Sequence, residues 1–172
     1  EYDIFHYRNK FYILTNLNAQ NKRLMETDED KTDISNWKEV IAHDEDIHLL
    51  SLQIFKNHIV INERKDGLRG FRVINQLNKQ SHRIQFQDNA YSARFSINEE
   101  FNTNIIRYNY SSMTTPRSTF DYNMDSKKQV LMKQQTVVGG YDSNLYQSER
   151  IYVKARDGVL IPVSMVYKKD KR

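Results

Sequence analysis

Arg107-Tyr108-Asn109-Tyr110-Ser111-Ser112-Met113-Thr114-Thr115-Pro116 changes character halfway along. Tyr108 and Tyr110 alternate with the polar Asn109 and Ser111, the period-two pattern of a strand with one buried face. Thr115 then precedes Pro116. A proline disfavours helix at the residue before it and cannot donate to a central ladder, so the strand runs into a turn. A second strand is expected around Ser118-Thr119-Phe120.

The same layout occurs twice upstream. Asn9 to Thr15 is followed by a polar turn (Asn16 to Asn21) and then Lys22 to Met25. Asn57 to Glu63 is followed by a turn at Lys65-Asp66-Gly67 and then Gly70 to Ile74. With Asn104 leading the stretch quoted above, the three asparagines at 9, 57 and 104 stand 48 and 47 residues apart. Each unit closes with a further apolar segment: Trp37 to Ile41, Arg83 to Phe86, Gln129 to Met132. Each is also led in by one: Asp3 to Tyr7, Leu49 to Phe55, Ala93 to Ile97.

Four short strands recurring at that interval is the layout of β-propeller blades, which run about 40–50 residues each. An ordinary antiparallel sandwich would need the two matching spacings to arise by accident. The expected fold is therefore all-β, a partial β-propeller of about three four-stranded blades over residues 2–44, 45–88 and 89–135. A blade cannot bury both faces alone, so an arc of three leaves two faces for further material or for another copy of the chain.

Past Lys133 the pattern changes. Residues 136–150, with Gly139-Gly140, read as a linker. Residues 151–172 read as a hairpin, Ile151 to Ala155 and Val159 to Tyr167, around Asp157-Gly158. That pair suits a type I′ turn, in which both central residues have positive φ. Val159, Ile161, Val163 and Met165 would present one apolar face, and little of the chain is left to cover it.

Composition agrees. Eleven Tyr and eight Phe favour sheet. There is no cysteine, hence no disulfide framework and no thiolate zinc site. The net charge of +4, from 26 basic and 22 acidic residues, is too mild for a nucleic-acid partner. Tyr and Phe interleave with Lys and Arg as on a single-strand platform, but at the period of core packing. No apolar run approaches the roughly 20 residues of a membrane-spanning helix. The chain opens at Glu1-Tyr2-Asp3 without an initiator Met and is expected to be cut from something longer.

These residues resemble a known family. Arg107 to Pro116 is similar to the Arg-Tyr-x-Tyr-Ser-Ser-x-Thr-Thr-Pro signature in the last propeller blade of the oligopeptidase B branch of the prolyl oligopeptidase family. Tyr146 to Arg150, Ala155 to Val159 and Ile161 to Tyr167 resemble the point where that family's chain enters its α/β-hydrolase domain. Asn16 to Asn21 and Glu63 to Leu68 are similar to earlier blades. The resemblance implies a cytoplasmic two-domain serine peptidase. Its propeller caps the hydrolase domain, admits only short peptides, and the enzyme cleaves after Arg or Lys through a Ser-Asp-His triad and an acyl-enzyme. The partners it implies are the hydrolase domain and short basic peptides.

The nucleophile elbow Gly-x-Ser-x-Gly is absent, since no two of the glycines at 67, 70, 139, 140 and 158 stand four apart. No catalytic, cofactor-binding or metal-ligating residue is therefore expected, no cofactor is implied, and this stretch alone is expected to be inactive. His43-Asp44-Glu45-Asp46-Ile47-His48 holds ligand-type residues at close spacing, but reads first as a solvated acidic connection between units. Ser148-Glu149-Arg150 beside Asp157 has no histidine after His82 to serve as base and reads as surface ion pairing. Arg107 would line a central channel or be a paired surface charge; both remain open. A non-catalytic binding module is the alternative. Such a module should bury its own terminal hairpin, whereas part of a peptidase should leave Val159 to Tyr167 uncovered or paired with another copy.

Overall fold

The computed structural model describes residues 1–171. Among the described residues fourteen strands form three four-stranded antiparallel sheets and one hairpin, each sheet in simple sequential order. The first holds β1 (Tyr2–Tyr7), β2 (Lys10–Thr15), β3 (Arg23–Asp28) and β4 (Lys38–Ile41). The second holds β5 (Ile47–Ile54), β6 (His58–Lys65), β7 (Leu68–Asn75) and β8 (Ser81–Arg83). The third holds β9 (Tyr91–Phe95), β10 (Ile105–Ser112), β11 (Ser118–Asn123) and β12 (Gln129–Gln134). β13 (Tyr146–Lys154) and β14 (Leu160–Lys168) make the hairpin. This is a partial β-propeller. Among the described residues no helix is long and apolar enough to cross a membrane.

The sheets stack face to face, and alternation decides which residue serves which interface. Ile59 and Ile61 of β6 join Tyr12, Leu14 and Leu24 in the core between sheets one and two. Val60, one residue out of phase, joins Phe71, Val73, Tyr108 and Tyr110 in the core between sheets two and three. The middle sheet is covered on both sides, so β6 is buried from His58 to Glu63 without alternation. β10 has only one covered face: Ile106, Tyr108 and Tyr110 are buried while Arg107 is exposed.

Three details depart from the sequence-based expectations. β8 occupies Ser81–Arg83 rather than Arg83 to Phe86. After Ile84 donates to the Phe71 carbonyl at 2.9 Å, the chain leaves the ladder and Phe86 enters the core, stacked on Tyr110 with centroids 5.2 Å apart. Burial between sheets, not pairing, is what that apolar run serves. β13 starts at Tyr146, inside the stretch expected to be linker, because Tyr146 pairs with Lys168. Finally, the type I′ geometry is found at Asp66-Gly67, whose φ values are 51° and 79°. At the hairpin only Gly158 has positive φ, 89°. Its N–H donates to the Ala155 carbonyl and the Ala155 N–H to Val159, a three-residue connection with the glycine in the left-handed position.

A second rhythm reinforces the first. Asn75 and Asn123, 48 residues apart, each end the third strand of a sheet. The Asn75 side chain accepts the N–H groups of Leu77 and Asn78, and Asn123 those of Asp125 and Ser126. Lys79 and Lys127 then turn left-handed at φ 61° and 60°. An asparagine that satisfies its own turn closes both hairpins the same way.

Candidate functional site

The loop closing the third sheet's β10–β11 hairpin, Met113 to Arg117, is built around a carboxylate from outside it. Asp88 lies in the β8–β9 connection, half-buried. Its Oδ2 accepts the Tyr110 hydroxyl at 2.5 Å and the Thr115 hydroxyl at 3.1 Å. Its Oδ1 accepts the Thr114 hydroxyl at 3.0 Å. Within the loop the Thr114 N–H donates to the Ser112 hydroxyl at 3.1 Å, and the Ser112 N–H to the Thr115 carbonyl at 3.0 Å. The hydroxyls of Ser112, Thr114 and Thr115 thus shape one loop around one charge.

Electrostatics follow from that geometry. Burial alone would raise the Asp88 carboxyl, but the hydroxyls of Tyr110, Thr114, Ser112 and Thr115 outweigh it and hold the group below the usual carboxylate range. Burial, then the hydrogen bond and charge of Asp88, push the Tyr110 phenol far above the ordinary tyrosine value. Asp88 stays ionised and occupied. It is no free general base, and no imidazole bonds to these hydroxyls, so the loop is a scaffold rather than a nucleophile site.

The terminal hairpin meets the sheets on this end. The Tyr141 hydroxyl donates to the Thr114 carbonyl at 3.0 Å, and the Tyr141 ring stacks on Tyr146 with centroids 5.5 Å apart. Further along β13, the Arg150 guanidinium donates to the backbone carbonyl of Asp66 in the second sheet's turn. Beside the Arg150 contact lies a cleft of about 550 Å³, lined by Arg83, Phe86, Tyr91, Arg150 and Tyr152 among others. Its floor carries Glu63, 3% exposed, whose carboxylate holds Arg83 and Arg72, each at 2.5 Å. The outer hairpin is uncovered: Val159, Leu160, Ile161 and Val166 are all exposed.

The residues singled out from sequence do not converge. Asp44 accepts the Asp46 N–H, and its carbonyl and that of Glu45 accept the Asn21 amide. Among the described residues no three His, Asp or Glu side chains gather as metal ligands. Arg107 is exposed on β10 and pairs with Asp121 through two hydrogen bonds of 2.6 and 2.8 Å. Ser148, Glu149 and Arg150 do not meet Asp157: Tyr167 donates to Glu149, Arg150 reaches Asp66, and Asp157 accepts the Val159 N–H. Asp88 escaped the sequence reading. Its partners lie 22 to 27 residues away, and a lone Asp in a polar connection carries no local signal.

Residues 1–135 match the family model described as prolyl oligopeptidase, N-terminal β-propeller domain. Dipeptidyl aminopeptidase BI of Pseudoxanthomonas mexicana is 36% identical over 172 residues, covering 99% of this chain and 24% of its own. Protease 2 of Moraxella lacunata is 26% identical over 166 residues, covering 96% of this chain and 24% of its own. The structure of oligopeptidase B from Leishmania major superposes with a TM-score of 0.85 at 26% identity, over 99% of this chain and 25% of that one. The chain spans about a quarter of the length of the relatives it matches.

Proposed function

This chain belongs to the prolyl oligopeptidase family through its N-terminal β-propeller domain, and from that premise we propose that it is the substrate-gating part of a serine endopeptidase that cleaves short peptides after Arg or Lys. In this reading residues 1–135 are propeller blades. The hairpin from Tyr146 onward starts an α/β-hydrolase domain that supplies the catalytic serine, its base and the pocket for the basic side chain. The chain's own role is mechanical: it presents a rigid set of blades over the reactive centre and carries the junction to it.

The observation that supports this most is the uncovered hairpin. Val159, Leu160, Ile161 and Val166 are exposed on a two-stranded element, and an isolated hairpin has too few neighbours to be stable in water. Such a surface suits continuation into a packed domain better than a free-standing binding module, which would bury it. A second arrangement, two copies joined through blade faces or hairpin edges, would also cover it.

The test uses the full reading frame containing this chain, alongside residues 1–172 alone. The full protein should hydrolyse an amino-blocked peptide amide ending in Arg or Lys and be labelled by a serine-directed fluorophosphonate. Residues 1–172 should do neither, and activity or labelling there would overturn the reading. The more similar relative's name favours a second specificity, release of dipeptides from a free amino terminus. A full protein that ignores blocked substrates and trims unblocked ones would establish it. Light scattering that finds a dimer of residues 1–172, lost on mutating the hairpin edge, would favour self-association.

A further inference from the structure

Asp88 does not touch the hairpin, yet the near end of the hairpin depends on it through two intermediates. Its carboxylate holds the hydroxyls of Thr114 and Thr115 at 3.0 and 3.1 Å. That fixes the direction of the Thr114 carbonyl, which accepts the Tyr141 hydroxyl at 3.0 Å. Tyr141 in turn stacks on Tyr146, the first residue of β13. On the other side of the same loop, the Gln135 N–H donates to the Arg117 carbonyl at 2.8 Å. The chain is thus clamped twice to one loop.

Between the clamps runs a short exposed arc, a single turn in which the Gly140 N–H donates to the Val137 carbonyl at 3.2 Å. Val138 is 98% exposed. Gly139 and Gly140 both sit at φ +86°, and a Cβ on either would meet no atom within 4 Å. Two adjacent left-handed glycines in open space can change φ and ψ at little steric cost, which is what a pivot requires.

We propose that Asp88 is a positioning residue: through Thr114 it latches Tyr141 and the following hairpin onto the third sheet, with Gly139-Gly140 as the pivot when the latch opens. The latch stands on these contacts alone. Its consequence, that opening widens access for longer peptides, rests on the function proposed above.

Hydrogen exchange read by mass spectrometry tests it, on residues 1–172 and on the full reading frame. Tyr141→Phe removes one exposed hydroxyl and leaves the cores intact. It should speed exchange of the amides from 141 to 150 by about five- to ten-fold, the scale of one hydrogen bond. Asp88→Asn should produce the same local change, with β6 and β7 amides unaltered. The double variant should add nothing beyond either single one, as expected of links in one chain.

Wild-type exchange at 141–150 in Asp88→Asn, or additive effects in the double variant, would overturn the latch. So would loosening spread evenly over β9 to β11, which marks a merely structural aspartate. If Asp88→Asn does not fold, Tyr141→Phe decides alone: unchanged exchange at 141–150 refutes the proposal. A latch that behaves as described in a full protein without peptidase activity would leave it standing and sink the functional reading instead.

Discussion

Glu63 on β6 and Arg83 at the end of β8 meet across the width of the second sheet, Oε1 to Nε 2.5 Å, with Arg72 of the intervening β7 closing the triad at the same distance. Glu63 is 3% exposed whereas Arg83 is 46% exposed. Removing one member of a buried ion group costs more than the group contributes, because the remaining charges lose their partner without regaining water. Glu63→Gln should destabilise the protein by about 3 kcal/mol, the lower end for buried pairs because Arg83 reaches solvent. Urea denaturation of the variant measures this; a loss under about 1 kcal/mol, the scale of a surface pair, would show that water already shares the site.

The seam between sheets two and three should be most sensitive at Phe71. It is 1% exposed, stacked on Phe95 at 4.8 Å and tilted against Tyr108 at 5.5 Å. Phe71→Ala removes a ring that neither sheet can collapse to replace, with an expected cost of about 3–5 kcal/mol. Phe71→Leu should recover much of that. The comparison by denaturant midpoint separates lost volume from lost ring geometry.

Alkaline stability should track two phenols. Burial, with the neighbouring Tyr122, raises Tyr108, and burial with the Asp88 hydrogen bond raises Tyr110. A group neutral in the fold but ionised when unfolded contributes stability below its unfolded value, near pH 10, and loses it as pH rises further. Absorbance titration should show both phenols lagging the exposed tyrosines until the fold gives way. In Tyr110→Phe one of the late protons disappears.

His82 should act at the opposite end. Its Nε2 lies 2.9 Å from the Tyr122 hydroxyl. Burial first, then the charges of Lys127 and His58, hold the imidazole below its usual 6.5. His58 itself pairs with Asp125 at 3.0 Å. A depressed histidine contributes stability that is complete above the unfolded value and lost as pH falls through the folded one. The melting temperature of wild type should therefore fall between pH 6.5 and 5, and His82→Gln should fall less over the same range.

Gly67 should resist substitution because of its backbone conformation. At φ +79° an L side chain is strained, while a Cβ would stand 3.4 Å from the Arg150 guanidinium, an ordinary contact. Gly67→Ala should cost about 1–2 kcal/mol, the left-handed penalty for one residue. Urea denaturation of the variant measures this cost.

Much of this architecture could be read without coordinates because its causes are local. The alternation at Tyr108 and Tyr110 follows from one covered face, and the Thr115-Pro116 break follows from the proline ring. Phe86 misled because an apolar run looks the same whether it pairs in a ladder or fills the space between sheets. Asp157-Gly158 misled because a two-residue and a three-residue turn want nearly the same sequence.

What the amino-acid order determined by itself was the repeating unit: three sets of four strands near 47 residues apart, since period-two burial and turn chemistry act within a few residues of each position. What only the tertiary structure decided was the use of isolated charges. Asp88 and Arg150 find their partners 22 to 84 residues away, and groups from separate sheets and connections meet only after the sheets have stacked.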